Sequence, residues 1–292
     1  MDLTLSASRK LRRQKLTAIK EALNPSNPRL SEANLEEFGI RRTTLSLDGD
    51  SANGPEFFTA YKHAIHKPLP SEFDGYTSLD PEPSRRGQHY YTSQDMAMFF
   101  VGYMQDVRIA DNHSTPANIC YIDFGDLGFG SLLDLTRPAR WGVHTVWHMP
   151  EKTAPHIVFV MYSEMTLDGY EEGKEQPLFW GEVSAIVRIM HRRLKLVSLR
   201  MNLLAPVFCF SAIGENHFRV IEAYHDGDNL VVLAAVDMPK RSSEPWNMVL
   251  FRETYRFATG ISYSYYVVKK DSGLIGRITT LETPKPSEWL GT

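Results

Sequence analysis

The feature that most constrains the fold is a set of closely spaced strand-like runs between Pro206 and Asp237. The first, "PVFCFSAIG", is mostly apolar, which is typical of a buried strand. The second, "NHFRVIEAYHDGDNLVVLAAVD", contains two such runs around "DGDN", a sequence that favours the turn of a β-hairpin. A hairpin about this turn places Glu222 opposite Leu233 and Asp237 opposite Phe218. We therefore predict a sheet in this part of the chain.

Helices are predicted on both sides of these strands. The run "WGEVSAIVRIMHRRLKLVSLR" predicts an amphipathic helix over 182–199. Ser243 and Pro245 open a second predicted helix over 244–259, which contains "WNMVLFRETYRFAT" and ends at Gly260. The strand "ISYSYYVV" follows. The core-facing positions of the first helix are Val183, Ile186, Val187, Met190, Leu194 and Val197.

Upstream of these elements, Ser93 is a plausible N-cap for the helical run "SQDMAMFFVGYMQDV". Strand-like runs follow at 118–124, 141–149 and 156–164. We predict an α+β fold in which a mixed sheet is flanked by helices, with an αβββαβ-like C-terminal half and an irregular N-terminal arm. Residues 88–292 are expected to form one globular domain with its core at about 180–270.

Residues 1–87 are expected to form a basic helix followed by the irregular arm. The helix, "SASRKLRRQKLTAIKEAL", carries an apolar stripe of Leu11, Leu16, Ile19 and Leu23 and ends near Pro25. Such a helix could lie on a membrane, contact phosphates or belong to a transit peptide; we favour a solvated or partner-packed terminal helix. From 24 to 87, Pro, Ser, Asp and Gly favour turns, and only "EFFTAYKHAIH" is helical in pattern.

Charge and cysteine content narrow the classes of function. The chain of 292 residues has a net charge of -3, which gives no overall attraction to nucleic acid or to an anionic membrane. Cys120 and Cys209 lie in apolar runs, so we expect buried free thiols in a reducing compartment. No apolar run reaches the roughly 18 residues that span a bilayer, and no secretory signal opens the chain. We therefore expect an intracellular, cytoplasmic protein without a membrane span.

The run "YIDFGDLGFG" at 121–130 resembles the Asp-Phe-Gly segment of kinases and the "IDFGDLG" loop of small-molecule phosphotransferases. Those enzymes also need a strand lysine for the phosphates and a catalytic loop at a fixed spacing upstream. Neither accompanies Asp123, so we interpret the run as a buried strand that ends in a glycine loop. A phosphotransferase remains a remote alternative.

The predicted order of helix, three strands, helix and strand resembles the restriction-endonuclease-like (PD-(D/E)XK) core. That resemblance implies an acid on the second core strand and a Glu-x-Lys on the third, which together bind one metal. The nearest residues here are Glu222, Asp237 and Lys240, with Glu182 on the preceding helix. Lys240 follows Asp237 by three residues rather than two, and the two strand acids lie roughly 13 Å apart along the sheet. We expect an inactive relative of that fold, with no metal site.

A second resemblance rests on "GEVSAIVRIM", "VFCFSAIGENHFRVIEAYHDGDNLVV" and "DLTRPARWG". These runs resemble a group of uncharacterised proteins of filamentous fungi over about residues 85–240. The resemblance implies a eukaryotic, intracellular setting and transfers no activity.

His144 and His148, four residues apart, would lie roughly 13 Å apart on the predicted strand, which is too far to share a zinc ion.

Two classes of function follow. In the first, the chain is a binding or accessory module for a partner protein or, with weaker support, for nucleic acid. Its binding surface would be an exposed cationic strip of Arg188, Arg192 and Lys195, with Arg193 and Arg200 at its edges. In the second, the chain is an enzyme with a dispersed carboxylate site, either a metal-dependent nuclease or hydrolase or a small-molecule biosynthetic enzyme. Glu222 would be its general acid or base, converging with Glu182 and His225. The sequence identifies no cofactor.

Overall fold

A computed structural model describes residues 3–46, 53–58, 88–106, 120–122, 128–137, 139–148, 155–167, 176–214 and 217–237. The helices are α1 (Leu3–Ala22), α2 (Glu32–Glu37), α3 (Gln88–Asp106) and α4 (Trp180–Arg193). The strands are β1 (Arg29–Leu30), β2 (Ile40–Thr44), β3 (Cys120–Ile122), β4 (Leu133–Asp134), β5 (Trp141–His148), β6 (Ile157–Ser163), β7 (Leu178–Phe179), β8 (Val207–Ile213), β9 (His217–His225) and β10 (Leu230–Asp237).

Within the described residues, one mixed sheet of eight strands organises the fold. Its order is β2-β10-β9-β8-β6-β5-β3, and β4 pairs with β5 beside β3. The β2–β10 and β6–β8 pairs are parallel and the other pairs are antiparallel. Strands β1 and β7 form a separate antiparallel pair. The α+β class with a mixed sheet flanked by helices is confirmed.

The two faces of the sheet pack against different helices. One face, with Cys209, Ile221 and Val232, packs against α4 and against the apolar side of α1. The opposite face, with Phe210 and Val220, packs against α3 and the short segment 53–58. Residues of β8 and β9 are buried on both faces because helices or loops cover each side.

The hairpin register predicted from the sequence is confirmed. Glu222 pairs with Leu233, and Asp237 pairs with Phe218. Helix α4 is also present, with five of its predicted core positions buried, but it ends at Arg193. Val197, the sixth, is 75% exposed in a short 3₁₀ turn. The predicted helix at 244–259 and the strand after it lie outside the described residues.

The N-terminal region contributes more regular structure than its composition indicates. Within the segment expected to be irregular, residues 29–44 form β1, α2 and β2, and β2 lies beside β10 at the edge of the sheet. Only Ile40 of β2 is buried, so its sequence carries little strand pattern. The helix α1 is confirmed, although Leu11 of its predicted stripe is 51% exposed.

No helix in the described part of the chain is long and apolar enough to cross a membrane. The thiol of Cys209 is free and buried, as expected. Residues 56–58 of the run "EFFTAYKHAIH", which has a helical pattern, are not helical.

Candidate anion-binding groove

Helix α1 is attached to the C-terminal end of α4 by arginine side chains. The guanidinium of Arg9 donates to the backbone carbonyls of Leu194 and Leu199, each at 2.5 Å, and to that of Asn202. Arg13 also donates to the carbonyl of Leu194, at 3.2 Å. The last carbonyls of a helix have no partner within it and carry partial negative charge, so cations there are stabilising. These two arginines act as a C-cap supplied by a distant part of the chain.

A second pair of basic residues on α1 holds the turn between β9 and β10. Arg12 donates to the carbonyls of His225 and Asp226, at 3.3 and 2.7 Å. Lys15 donates to the carbonyl of Gly227 at 2.8 Å and pairs with the exposed carboxylate of Asp228 at 3.1 Å. Much of the basic character of this helix therefore has an intramolecular role, and the helix packs against its own chain.

The flank of α1 that carries the remaining cations faces α4 across a groove of about 310 Å³. Lys10 and Lys20 are exposed on this helix, and Lys195 is exposed just after α4. We call this the α1–α4 groove, and it is lined by Lys10, Arg13, Gln14, Thr17, Ala18, Glu21 and His191. Glu21 is the one acid among these lining residues.

The surroundings of His191 show that the groove is positively charged. Its ring nitrogen Nε2 lies 3.4 Å from the hydroxyl of Thr17. Its pKa is lowered by burial and then by the positive charges of Lys195, Arg13, Lys20 and Arg192. Several positive charges therefore lie close together around this imidazole, and a bound anionic group would reduce their mutual repulsion.

The exposed cationic strip expected on α4 is only partly present. Arg188 is half-buried, donates to the carbonyl of Ser131, and places its guanidinium 5.8 Å from the centre of the Trp141 ring. Arg193 is fully buried and donates to the carbonyl of Pro155.

Arg192 is half-buried beside Gly128, where an added Cβ would lie 3.3 Å from its guanidinium. Lys195 and Arg200 are exposed. The segment 128–134 covers one side of α4, so the basic surface is instead shared between the end of α4 and α1.

The negative charge of Glu182 is balanced by an arginine within the core. Its Oε2 accepts from Arg219 Nη1 at 2.7 Å and from the backbone N–H of Phe179 at 2.8 Å. Arg219 also donates to the carbonyl of Pro177 and lies over the ring of Phe179. A carboxylate that is held by a buried arginine is poorly suited to bind a metal or to transfer a proton.

Glu222 lies on the opposite face of the sheet. Its two carboxylate oxygens accept from the backbone N–H groups of Glu56 and Phe57, each at 2.7 Å, and its side chain is fully buried. Burial raises the pKa of Glu222 to about 7, while the N–H groups of Phe57 and Glu56 act against that shift. Among the described residues, its partners are backbone amides and not an arginine.

The predicted site residues do not converge. Side chains alternate between the faces of a strand, so Glu222 faces the α3 side while His225 faces the α1 side. His225 accepts from the N–H of Gly227, and burial followed by the charge of Arg12 lowers its pKa to about 4. No group of three or more His, Cys, Asp or Glu side chains among the described residues could hold a metal ion.

Two further predicted site residues lie outside what the structure describes, and a third is described by its strand register. Lys240 and Asp123 are not among the described residues, so the interpretation of "YIDFGDLGFG" stays a prediction. Asp237 has its register confirmed on β10, four residues beyond the partner of Glu222.

The sequence interpretation missed two features that hold the candidate site residues in place, which are the partner of Glu182 and the partner of Glu222. Arg219 had a detectable signal, because it is a charged residue within the otherwise apolar strand pattern "HFRVIEAYH". The contact between Glu222 and segment 53–58 had no signal in the sequence, because almost any residue supplies a backbone N–H. No protein-family model, curated protein or solved structure matches this chain.

Proposed function

We propose that this chain is an intracellular binding module that holds an acidic segment of a partner protein in the α1–α4 groove. The observation that carries the proposal is the position of His191 among Lys195, Arg13, Lys20 and Arg192, in a groove whose lining contains a single acid. Carboxylates placed there would lower the mutual repulsion of these cations.

A protein partner fits the groove better than nucleic acid does. Val197 and Met201, which follow Lys195 along the chain, are 75% and 66% exposed and offer apolar contact next to the basic residues. Protein interfaces combine such apolar contacts with charged rims.

The proposed scaffold is a degenerate restriction-endonuclease-like core. The order α4, β8, β9, β10 supports this, since it follows the first four elements of the predicted αβββαβ pattern. The separation of Glu182 and Glu222 on opposite faces supports a degenerate site. The free, buried thiol of Cys209 supports a reducing, cytoplasmic location.

A binding titration tests this function. Fluorescence anisotropy of a labelled poly-glutamate peptide should show saturable binding that weakens as salt rises. Replacing two of the three exposed lysines (Lys10→Ala with Lys195→Ala) should weaken it by about tenfold, because each rim charge contributes up to about 1 kcal/mol.

The control removes two positive charges elsewhere, at Arg41 and Arg137, both 57% exposed. Arg41→Ala with Arg137→Ala should leave peptide binding within about twofold. Equal losses in both double variants would contradict the groove as the site. Tighter binding of single- or double-stranded DNA or RNA than of the peptide would overturn the choice of a protein partner.

A further inference from the structure

A second cluster of polar and aromatic side chains lies on the other face of the sheet. The register places Glu222 of β9 beside Phe208 of β8, and Phe208 beside Val158 of β6. Tyr224 is two residues beyond Glu222 along β9, and His156 is two residues before Val158. Side chains two residues apart share a face of a sheet, so Glu222, Tyr224, Phe208 and His156 border one patch.

The chain's own residues 56–58 cover this patch through contacts that resemble those of a bound ligand. Two consecutive N–H groups, of Glu56 and Phe57, meet the two oxygens of Glu222 at 2.7 Å. The ring of Phe57 lies 4.8 Å from that of Tyr224 in an edge-to-face arrangement, and the ring of Phe58 lies 4.9 Å from that of Phe208. Tyr224 also donates to the carboxylate of Glu56 at 2.8 Å.

Residues 56–58 form hydrogen bonds with Glu222 and Tyr224, but they form none with the buried ring of His156. His156 is 3% exposed and lies edge-on to Phe58, with ring centres 5.6 Å apart. Neither ring nitrogen of His156 has a hydrogen-bond partner among the residues that the structure describes. A buried polar group without a partner destabilises a fold and calls for an explanation in a native structure. A core that served only packing would place an apolar side chain here.

We propose that residues 53–58 are a displaceable cover over a ligand site, and that the site takes a planar aromatic compound bearing two adjacent N–H donors, such as an aryl amidine. The amidinium replaces the two backbone N–H groups at Glu222, and the aromatic ring replaces that of Phe57. His156 becomes available to a further polar group on the ligand. This site is separate from the α1–α4 groove, which lies on the opposite side of the sheet.

Benzamidine is a direct probe of this site in the full chain. At pH 8 it should bind saturably in a calorimetric titration, and it should accelerate hydrogen exchange at the amides of Glu56 and Phe57 as the cover is displaced. Binding at pH 5.5 should be about thirtyfold weaker, because Glu222, whose pKa is about 7, is then largely protonated. Benzyl alcohol, which has the ring without the amidine, should leave the exchange unchanged.

Two variants sharpen the test. Phe57→Ala weakens the competing cover and should tighten benzamidine binding by about tenfold, because the edge-to-face contact of Phe57 with Tyr224 no longer holds the cover in place. Glu222→Gln should abolish binding. If either variant fails to fold, the exchange and pH measurements on the unaltered chain decide the question. Absence of saturable binding, unchanged exchange at Glu56 and Phe57, or equal binding at the two pH values would each overturn the proposal.

Discussion

Arg219 of β9 and Glu182 of α4 form an enclosed ion pair, with Nη1 2.7 Å from Oε2 and side chains that are 1% and 0% exposed. This pair joins the first turn of α4 to the centre of the sheet. The same carboxylate accepts from the N–H of Phe179, which precedes the helix. One ion pair therefore fixes both the start of α4 and its position on the sheet.

Removing one member of this pair should be strongly destabilising. Arg219→Ala leaves the Glu182 carboxylate buried without its counter-charge, and such changes cost about 3–5 kcal/mol. Urea unfolding followed by circular dichroism measures the loss. A double variant, Arg219→Met with Glu182→Leu, should recover most of the stability because no charge remains buried. A loss below about 1 kcal/mol in Arg219→Ala would contradict the enclosed pair.

The attachment of α1 to α4 should depend on Arg9. Its guanidinium serves three backbone carbonyls between Leu194 and Asn202. Arg9→Ala should therefore cost about 2–3 kcal/mol, since hydrogen bonds to charged groups are stronger than neutral ones. The neighbouring exposed change, Lys10→Ala, is the control and should stay within about 0.5 kcal/mol. Equal effects on the urea midpoint would show that Arg9 does not cap α4.

The hairpin and α4 were predictable from the sequence because their signals are local. A period of two residues around a turn sets the β9–β10 register, so the Glu222–Leu233 pair followed from counting. The apolar spacing of α4 likewise identified its buried side. The early end of that helix was not predictable, because the carbonyl of Leu194 is taken by arginines more than 180 residues away.

The candidate site was much less predictable than the fold. The six cations of α1 look alike in the sequence, yet Arg9 and Arg12 are buried structural residues while Lys10 and Lys20 are exposed. Only the packing of the helix separates these roles. Strand alternation places Glu222 on the same face of β9 as Val220 and Tyr224, but its full burial depends on segment 53–58, whose position no local pattern indicates.

The buried carboxylate of Glu222 should make folding stability depend on pH. Burial raises its pKa from the ordinary 4.5 to about 7, so between these values the folded state retains a proton that the unfolded state releases. The contribution is fully present below pH 4.5 and is lost as pH rises through 7, by roughly 3 kcal/mol in total. Subtracting the stability profile of Glu222→Gln from that of the unaltered chain isolates this contribution. A difference that is flat from pH 4.5 to 7 would contradict the raised pKa.

The ring of His191 should sense occupancy of the α1–α4 groove. Its pKa lies below the ordinary value because of burial and the surrounding cations. A bound carboxylate group would offset those charges and raise the pKa of the imidazole. The proton chemical shift of the ring, followed against pH with and without the poly-glutamate peptide, measures the change. His225, which lies at the β9–β10 turn, is the internal control and should titrate the same in both samples.

Two helical glycines should respond in opposite directions to alanine. Gly181 lies in the first turn of α4, where an added Cβ would be 2.7 Å from the Trp141 ring, so that the ring or the helix must move. Gly181→Ala should cost about 1–3 kcal/mol, as overpacking in a dense core usually does. Gly102 lies in α3 with no atom within 4 Å of an added Cβ, and Gly102→Ala should stabilise the fold by up to about 1 kcal/mol through helix propensity. Urea midpoints of the two variants test the close approach of α4 to β5, and a stabilising Gly181→Ala would show that this approach is looser than the structure indicates.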